Sequence, residues 1–150
     1  MIAELNRGLG ALLKIRLVSY AWETDVRPGF HADGPQGLVD QILHIEDSDI
    51  LIGIFWKRFG TPVKDADSGT EHEFLKAYES WKSTGRPEIM MYFCEKPYHP
   101  NNSGEAEQAR RVAKFREEFP EHGLYRTYKR PSEFTDLVRN HLTGYLQGVR

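Results

Sequence analysis

The segment DSDILIGIFWKRFG, at residues 47–60, carries the strongest structural signal in the chain. Its run ILIGIF at 50–55 is almost entirely apolar, which is typical of a strand buried on both faces of a parallel sheet. A second run, EIMMYFC at 88–94, predicts another buried strand. Segments with helical spacing of apolar residues alternate with these strands, and that order predicts βαβ crossovers. We therefore expect an α/β fold, with a doubly wound parallel sheet that carries helices on both faces.

Weaker patterns predict the remaining elements. The segment IRLVSYAW at 15–22 has the β-branched and aromatic content of a short strand, and a further strand is predicted at about 124–128. Apolar residues recur at helical spacing along much of the chain. The predicted helices cover residues 1–14, 36–47, 68–84, 104–119 and 132–147. No internal repeat interrupts this order, so residues 1–150 are predicted to form a single domain.

The composition excludes several classes of protein. The chain has 150 residues, and its 20 Lys and Arg against 22 Asp and Glu give no general attraction to nucleic acid or to anionic membranes. The longest apolar run is too short to span a bilayer, and residues 1–14 lack the pattern of a signal peptide. The single cysteine, Cys94, cannot form an internal disulfide. We expect a cytoplasmic protein with no membrane and no nucleic-acid partner.

Common catalytic and metal-binding motifs are absent from the sequence. There is no GxGxxG, no Walker phosphate loop and no GxSxG nucleophile motif. The six histidines are scattered without the spacing of a metal site. His141 falls on the apolar stripe of the last predicted helix, and we expect it at the edge of the core with a hydrogen-bonded ring nitrogen. No metal and no resident cofactor are predicted.

Loops at one edge of the predicted sheet hold the candidate binding residues. In parallel α/β sheets ligands bind beyond the carboxyl ends of the strands, and those ends lead here into loops at 22–35, 56–67 and 95–102. Aromatic rings stack on bases and guanidinium groups bind phosphate, so the first two loops suit a nucleotide. The candidate substrate-binding residues in them are Trp22, Asp25, Arg27, Trp56, Arg58 and Phe59. The structural alternative is that the rings cover the sheet edge and that Arg27 pairs with a surface acid.

The segment DSGTEHEFLKA at 67–77 admits two interpretations. Ser68 and Thr70 are both favourable N-cap residues, and each is followed three residues later by a glutamate, Glu71 and Glu73 respectively. Either acid can complete a capping box, and spacing alone favours this structural interpretation. In the functional interpretation only one acid caps, and the other is a carboxylate held ionised near the positive end of the helix. Such a carboxylate can stabilise or attack an oxocarbenium ion on a sugar.

Taken together, several segments resemble a bacterial family of uncharacterised domains related to Toll/interleukin-1 receptor (TIR) domains. The resemblance rests on WETDVRPG at 22–29, PQ at 35–36, DSDILIGIFWKRFGTP at 47–62 and SGTEHEF at 68–74, in this order and spacing. It is close over residues 22–77 and extends over the rest of the chain by fold pattern. The resemblance implies a flavodoxin-like parallel sheet.

An activity is also implied by the resemblance. Many prokaryotic TIR domains cleave NAD+ at the nicotinamide–ribose bond, with a catalytic glutamate in the helix after the third strand. The family motif falls on Ser68, Glu73, Phe74 and Ala77. Glu73 rather than Glu71 therefore inherits the catalytic role, and Ser68 and Thr70 join the candidate substrate-binding residues. TIR enzymes often place an aromatic residue four positions before the glutamate, where this chain has Gly69.

The start of the chain differs from the family pattern. TIR-like domains open with a strand before their first helix, whereas this sequence begins inside that helix, so we expect an N-terminally truncated domain whose first strand is missing. A second copy of the chain or a neighbouring domain would then complete the sheet.

Three functions are compatible with these observations. They are an NAD+ nucleosidase in bacterial signalling or defence, a non-catalytic signalling or assembly module, and a nucleoside deoxyribosyltransferase-like enzyme.

Overall fold

A computed structural model describes residues 1–21, 32, 45–59, 69–119 and 123–148 of the chain. Its helical elements are α1 (Ile2–Leu5), a π-helical segment (Asn6–Gly10), α2 (Ala11–Leu13), a 3-10 turn (Ile45–Asp47), α3 (Gly69–Thr84), α4 (Ser103–Glu117) and α5 (Pro131–Gly148). Its strands are β1 (Ile50–Phe55), β2 (Glu88–Cys94) and β3 (Tyr125–Tyr128). Each of these elements lies inside a predicted one or extends it by a single residue at an end. Of the helix predicted at 36–47, residues 36–44 lie outside the described residues, and 45–47 form the 3-10 turn.

The three strands form one parallel sheet in the order β1-β2-β3. In its register Gly53 lies opposite Met91, and Met91 in turn lies opposite Tyr125. Parallel neighbours need a crossover connection, which is usually a helix, and α3 and α4 lie in the two connections. The chain therefore has the α/β, flavodoxin-like fold that the sequence predicted, with helices on both faces of the sheet.

One face of the sheet is covered by α3 and α4, and its core is mostly aromatic. Odd-numbered residues of β1 and β2 point to this side, because successive strand residues alternate between the faces. The buried members of this core are Phe55, Phe59, Phe74, Met91, Phe93, Val112 and Phe115. The ring of Phe115 on α4 lies centrally, with its centroid 5.0 Å from that of Phe55 and 5.4 Å from that of Phe74. We call this side the aromatic face.

The opposite side, which we call the mixed face, is covered by α1 and α5. Its buried core consists of Leu5, Tyr92, Val138 and Leu142. Val138 and Leu142 lie one turn apart, so α5 presents both to the sheet. The face also contains a polar pair, because the Tyr92 hydroxyl and His141 Nδ1 form a hydrogen bond of 2.7 Å. This confirms the position predicted for His141 at the edge of the core.

The strand predicted at 15–22 is wrong in its described part, since residues 15–21 have no regular secondary structure. Leu17 pairs with a side chain instead of a strand: Asn6 Nδ2 donates to the Leu17 carbonyl at 2.9 Å, and Leu17 N donates to Asn6 Oδ1 at 2.7 Å. One amide side chain thus satisfies both backbone groups that a neighbouring strand would otherwise pair. Beyond this point Val18 and Tyr20 are 58% and 69% exposed.

Candidate functional site

The carboxyl ends of β1 and β2 lie at the same edge of the sheet, because the two strands are parallel and in register from Ile50 and Glu88 onward. Trp56 follows β1 directly, and Tyr98 lies in the loop after β2. The Trp56 indole N–H donates to the Lys96 carbonyl at 3.2 Å, which ties the first loop to the second. The structure therefore brings together the described parts of two loops that the sequence predicted to meet.

Two aromatic rings and two ammonium groups form a cluster at this edge, which we call the edge cluster: Trp56, Lys57, Lys96 and Tyr98. The rings of Trp56 and Tyr98 have centroids 6.3 Å apart and planes inclined at 60°. Lys57 Nζ lies 4.8 Å from each of these centroids. Lys96 Nζ lies 5.8 Å from the Trp56 centroid. Cations over aromatic faces are attracted by the ring quadrupole, so the cluster combines stacking surface with positive charge.

Glu105, in the first turn of α4, holds the second loop in place. Its carboxylate accepts hydrogen bonds from the Tyr98 hydroxyl and from the Asn101 backbone N–H, the latter at 2.8 Å. The Glu105 backbone N–H in turn donates to the Asn102 side chain at 2.9 Å, which caps the helix. The ring of Tyr98 is consequently anchored at its hydroxyl end while its face is presented to Lys57.

The same contacts shift two pKa values. The hydrogen bond to Glu105 raises the pKa of Tyr98 to about 12, with burial as a smaller cause. Hydrogen bonds from the Asn101 backbone and from Tyr98 lower the pKa of Glu105, and the charge of Lys57 contributes in the same direction. Both shifts favour a neutral tyrosine bonded to an ionised glutamate, so the cluster keeps this charge arrangement across the neutral pH range.

Phe59 has a different environment from the one predicted. Its ring is only 3% exposed and packs in the aromatic face, 5.5 Å from Phe55 and 5.6 Å from Phe115 between centroids. Its backbone N–H donates to Gln108 Oε1 at 2.9 Å. A ring so placed offers no surface to a ligand, and this corrects its assignment as a substrate-binding residue. Arg58, by contrast, is exposed on the same loop.

The candidate catalytic glutamate lies on α3, which begins at Gly69. Thr70 is therefore inside the helix rather than at its N-cap, and this corrects one of the two predicted caps. Glu71 lies in the first turn and Glu73 in the second, and both are half-buried. Because α3 follows β1 in a crossover, its first turns lie towards the carboxyl edge of the sheet. We therefore expect Glu73 at the same end of the molecule as the edge cluster.

Four candidate residues, Trp22, Asp25, Arg27 and Ser68, lie outside the described residues. The expectation that Trp22 or Arg27 shares a cleft with Glu73 therefore stays a prediction.

Three residues of the edge, Lys96, Tyr98 and Glu105, were missed by sequence reasoning. A signal for Glu105 does exist, since Asn102 and Glu105 have the spacing of a capping box ahead of a helical pattern. The loop KPYHPNN at 96–102 has a tyrosine between two prolines. The prolines indicate a turn, but they do not indicate which residues the tyrosine contacts. The contact between this loop and Trp56 joins residues 40 positions apart, Trp56 and Lys96. Local sequence patterns could not predict it.

Two open clefts of about 330 and 390 Å³ lie away from the edge cluster. The first lies between β2, β3 and α4 and includes Cys94 and Arg116. The second lies on the mixed face near the amino end of β2 and includes His141 and Arg126.

Within the described residues, no group of three or more His, Cys, Asp or Glu side chains is placed to hold a metal ion. No helix in the same part of the chain is long and apolar enough to cross a membrane.

Comparison with known proteins identifies a family without assigning an activity. Residues 29–143 match the family model described as Domain of unknown function (DUF4062), and the chain belongs to that family. No curated protein and no solved structure matches the chain.

Proposed function

We propose that this DUF4062 domain binds NAD+ at the carboxyl edge of its sheet and hydrolyses the nicotinamide–ribose bond, with Glu73 as the catalytic carboxylate. The observation that carries the proposal is the edge cluster, in which Trp56 and Tyr98 flank the Lys57 ammonium 4.8 Å from each ring. Glu73 lies on α3, the helix that follows β1, and the first turns of such a crossover helix are expected at the carboxyl edge of the sheet. The resemblance to TIR domains supplies the reaction.

Each part of the edge suits one part of a dinucleotide. Aromatic faces such as that of Trp56, which is 37% exposed, stack on planar heterocycles. Lys57, Lys96 and the exposed Arg58 supply cations for a pyrophosphate. Binding by rings and cations from two loops orients the ligand along the sheet edge towards α3.

The chemistry assigned to Glu73 is that of a carboxylate at an anomeric carbon. As the bond between ribose C1′ and the nicotinamide nitrogen breaks, the bonding pair leaves with the ring, which departs as neutral nicotinamide. Positive charge develops at C1′ and its ring oxygen, and an adjacent carboxylate stabilises that charge. Water then forms the new C1′–oxygen bond and releases a proton, giving ADP-ribose.

The experiment that tests this proposal follows nicotinamide release from NAD+ by the purified chain. Glu73→Gln keeps the size of the side chain and removes its charge, so it should abolish turnover. Glu71→Gln is the matched control, because it makes the same change two residues away in the same helix; it should retain most of the turnover. Equal loss of turnover in both variants at unchanged melting temperature would contradict the assignment of Glu73.

A second candidate function is a non-catalytic assembly module, and one observation favours it. Segment 15–21, which has no regular secondary structure, leaves Val18 and Tyr20 largely exposed, and contiguous exposed apolar surface marks interaction sites. If this segment mediates assembly, light scattering should show concentration-dependent association that the double variant Val18→Lys, Tyr20→Lys abolishes. A monomer at all concentrations, combined with NAD+ turnover, would eliminate this candidate.

The cellular setting belongs to the same proposal. A role in bacterial signalling or defence, and a place in the cytoplasm where NAD+ is available, rest on the resemblance to TIR domains. A homo-oligomer or a neighbouring domain as partner has the same basis.

A further inference from the structure

The Lys57 ammonium occupies a position between two aromatic rings. Nζ lies 4.8 Å from the centroid of Trp56 and 4.8 Å from that of Tyr98. The two ring centroids are 6.3 Å apart, so the ammonium is closer to each ring than the rings are to each other. Both rings are held by hydrogen bonds, Trp56 by its bond to the Lys96 carbonyl and Tyr98 by its bond to Glu105.

A second lysine shows how different this environment is. Lys82 on α3 lies 5.1 Å from the single ring of Tyr78 and also forms an ion pair with Glu79 on its own helix. Within the described part of the chain, Lys57 forms no ion pair with a carboxylate. Lys57 contacts both rings at the same distance of 4.8 Å, and its charge also acts on Glu105; a cation of another molecule could take the same position over the rings.

We propose that the Trp56–Tyr98 pair is a subsite for a planar organic cation of the N-alkylpyridinium class, and that Lys57 occupies this subsite until such a ligand displaces it. The inference rests on the nucleotide site of the proposed function and names the part of the ligand that enters the edge cluster. In NAD+ this ring is the nicotinamide ring, which is positively charged because its nitrogen is bonded to ribose C1′.

Charge is the basis of the selectivity. The planes of Trp56 and Tyr98 are inclined at 60°, so a pyridinium ring stacks on one of them and presents its positive charge to both, whereas a neutral ring of the same size offers stacking area alone. Lys57, once displaced, joins Lys96, whose Nζ already lies 5.8 Å from the Trp56 centroid. Two free ammonium groups next to the bound ring would then favour a phosphate on the same ligand.

The experiment compares two probes that differ in charge but share a ring, 1-methylnicotinamide and nicotinamide. Binding to the full chain is followed by NMR through the Trp56 indole N–H signal, which is assigned by its loss in Trp56→Leu. The cationic probe should bind about threefold to tenfold more tightly than the neutral one, from the size of a partly exposed cation–π contact. Nicotinamide mononucleotide, which adds a phosphate, should bind more tightly than either.

Two matched variants test the displacement. Lys57→Met removes the competing ammonium and should tighten binding of 1-methylnicotinamide, again by about threefold to tenfold. Lys82→Met removes a lysine over a single ring at a distant part of α3 and should leave the affinity unchanged. An unchanged affinity in Lys57→Met, or an equal gain in both variants, would show that Lys57 does not compete for the subsite.

Failure of the subsite and failure of the proposed function give different results. Equal affinities for 1-methylnicotinamide and nicotinamide would overturn the subsite even if the chain cleaves NAD+. Selective binding of the cationic probe by a chain that releases no nicotinamide from NAD+ would support the subsite and overturn the proposed hydrolysis.

Discussion

The two faces of the sheet are built on different principles. The aromatic face is packed mainly by rings, with Phe115 within 5.6 Å of Phe55, Phe59 and Phe74 between centroids. The mixed face combines apolar side chains with hydrogen bonds, those of the Tyr92–His141 pair and of the Asn6 amide to Leu17.

The two faces therefore differ in the kind of side chain that their packing requires. Rings tolerate many neighbours provided that volume is filled, because dispersion and hydrophobic burial have little directional preference. Hydrogen-bonded pairs instead require matched donors and acceptors, since an unmet buried group costs more than a bond contributes. We therefore expect changes of volume to be most costly on the aromatic face and changes of hydrogen-bonding capacity to be most costly on the mixed face.

The largest expected effect is that of Phe115→Ala. Truncation of this ring leaves a cavity among the other phenylalanines and should lower the free energy of unfolding by about 3–5 kcal/mol. Leu142→Ala makes a comparable truncation on the mixed face and should cost about 3 kcal/mol. Urea unfolding of both variants measures the difference, and a larger loss in Leu142→Ala would break the comparison.

Next in size is Gly53→Ala, which adds volume to the aromatic face. A Cβ at Gly53 would lie 2.7 Å from Cε of Met91, a side chain that is itself buried. We expect a loss of about 1–3 kcal/mol from this overpacking.

Gly144→Ala on α5 is the matched control for Gly53→Ala, because nothing lies within 4 Å of the added methyl. It should raise the free energy of unfolding by about 0.5–1 kcal/mol, since alanine is the better helix former. Thermal melts that show equal shifts for the two variants would contradict the packing argument at Gly53.

Asn6→Ala tests hydrogen bonding on the mixed face with little change of apolar volume. It removes both bonds to the Leu17 backbone and should cost about 1–2 kcal/mol in urea unfolding. Asn6→Asp retains the acceptor for Leu17 N–H but loses the donor, so its cost should be intermediate if both bonds contribute. If Asn6→Ala proves as stable as the wild type, neither bond contributes to stability.

The smallest expected loss of stability is that of Tyr92→Phe, and it depends on pH. Loss of the hydroxyl leaves His141 Nδ1 without its partner and should cost about 1 kcal/mol at neutral pH. Burial raises the pKa of Tyr92 above its ordinary value, with the charge of Arg126 opposing.

The raised pKa fixes the sign of the pH dependence. Below the ordinary tyrosine pKa of about 10 the hydroxyl is neutral in both the folded and the unfolded states, so its contribution is fully present. Above that pH the unfolded state ionises first, and the contribution falls as pH rises towards the folded pKa. The difference between wild type and Tyr92→Phe should shrink above pH 10 in urea unfolding, and a constant difference would show that Tyr92 does not titrate with folding.

The strands and helices were predictable because their signals are local. The apolar runs of β1 and β2 and the stripe of α5 each lie within one segment, and the structure has elements there. The segment 15–21 has strand composition, but composition does not show whether a partner strand is available, and Asn6 supplies that partner instead. The strand prediction failed because β-propensity reflects residue composition and not the presence of a partner strand.

The candidate site was predictable only in part. Trp56 and Phe59 both follow β1 and looked equivalent as aromatic candidates, yet the first presents its ring to Lys57 and the second is buried against Phe55 and Phe115. Tyr98 belongs with Trp56 through a contact that no local pattern indicates. Which ring faces a ligand depends on packing between loops and on the helix that covers them.

The sequence by itself determined the period of each element, the order of strands and helices, and the edge of the sheet at which charged and aromatic loops collect. These properties follow from backbone geometry, which repeats every 3.6 residues in a helix and every two in a strand. The tertiary structure decided which side chains meet: Lys57 between Trp56 and Tyr98, and His141 against Tyr92. Such meetings depend on burial and hydrogen bonding between segments tens of residues apart, and those energies exist only once the chain has folded.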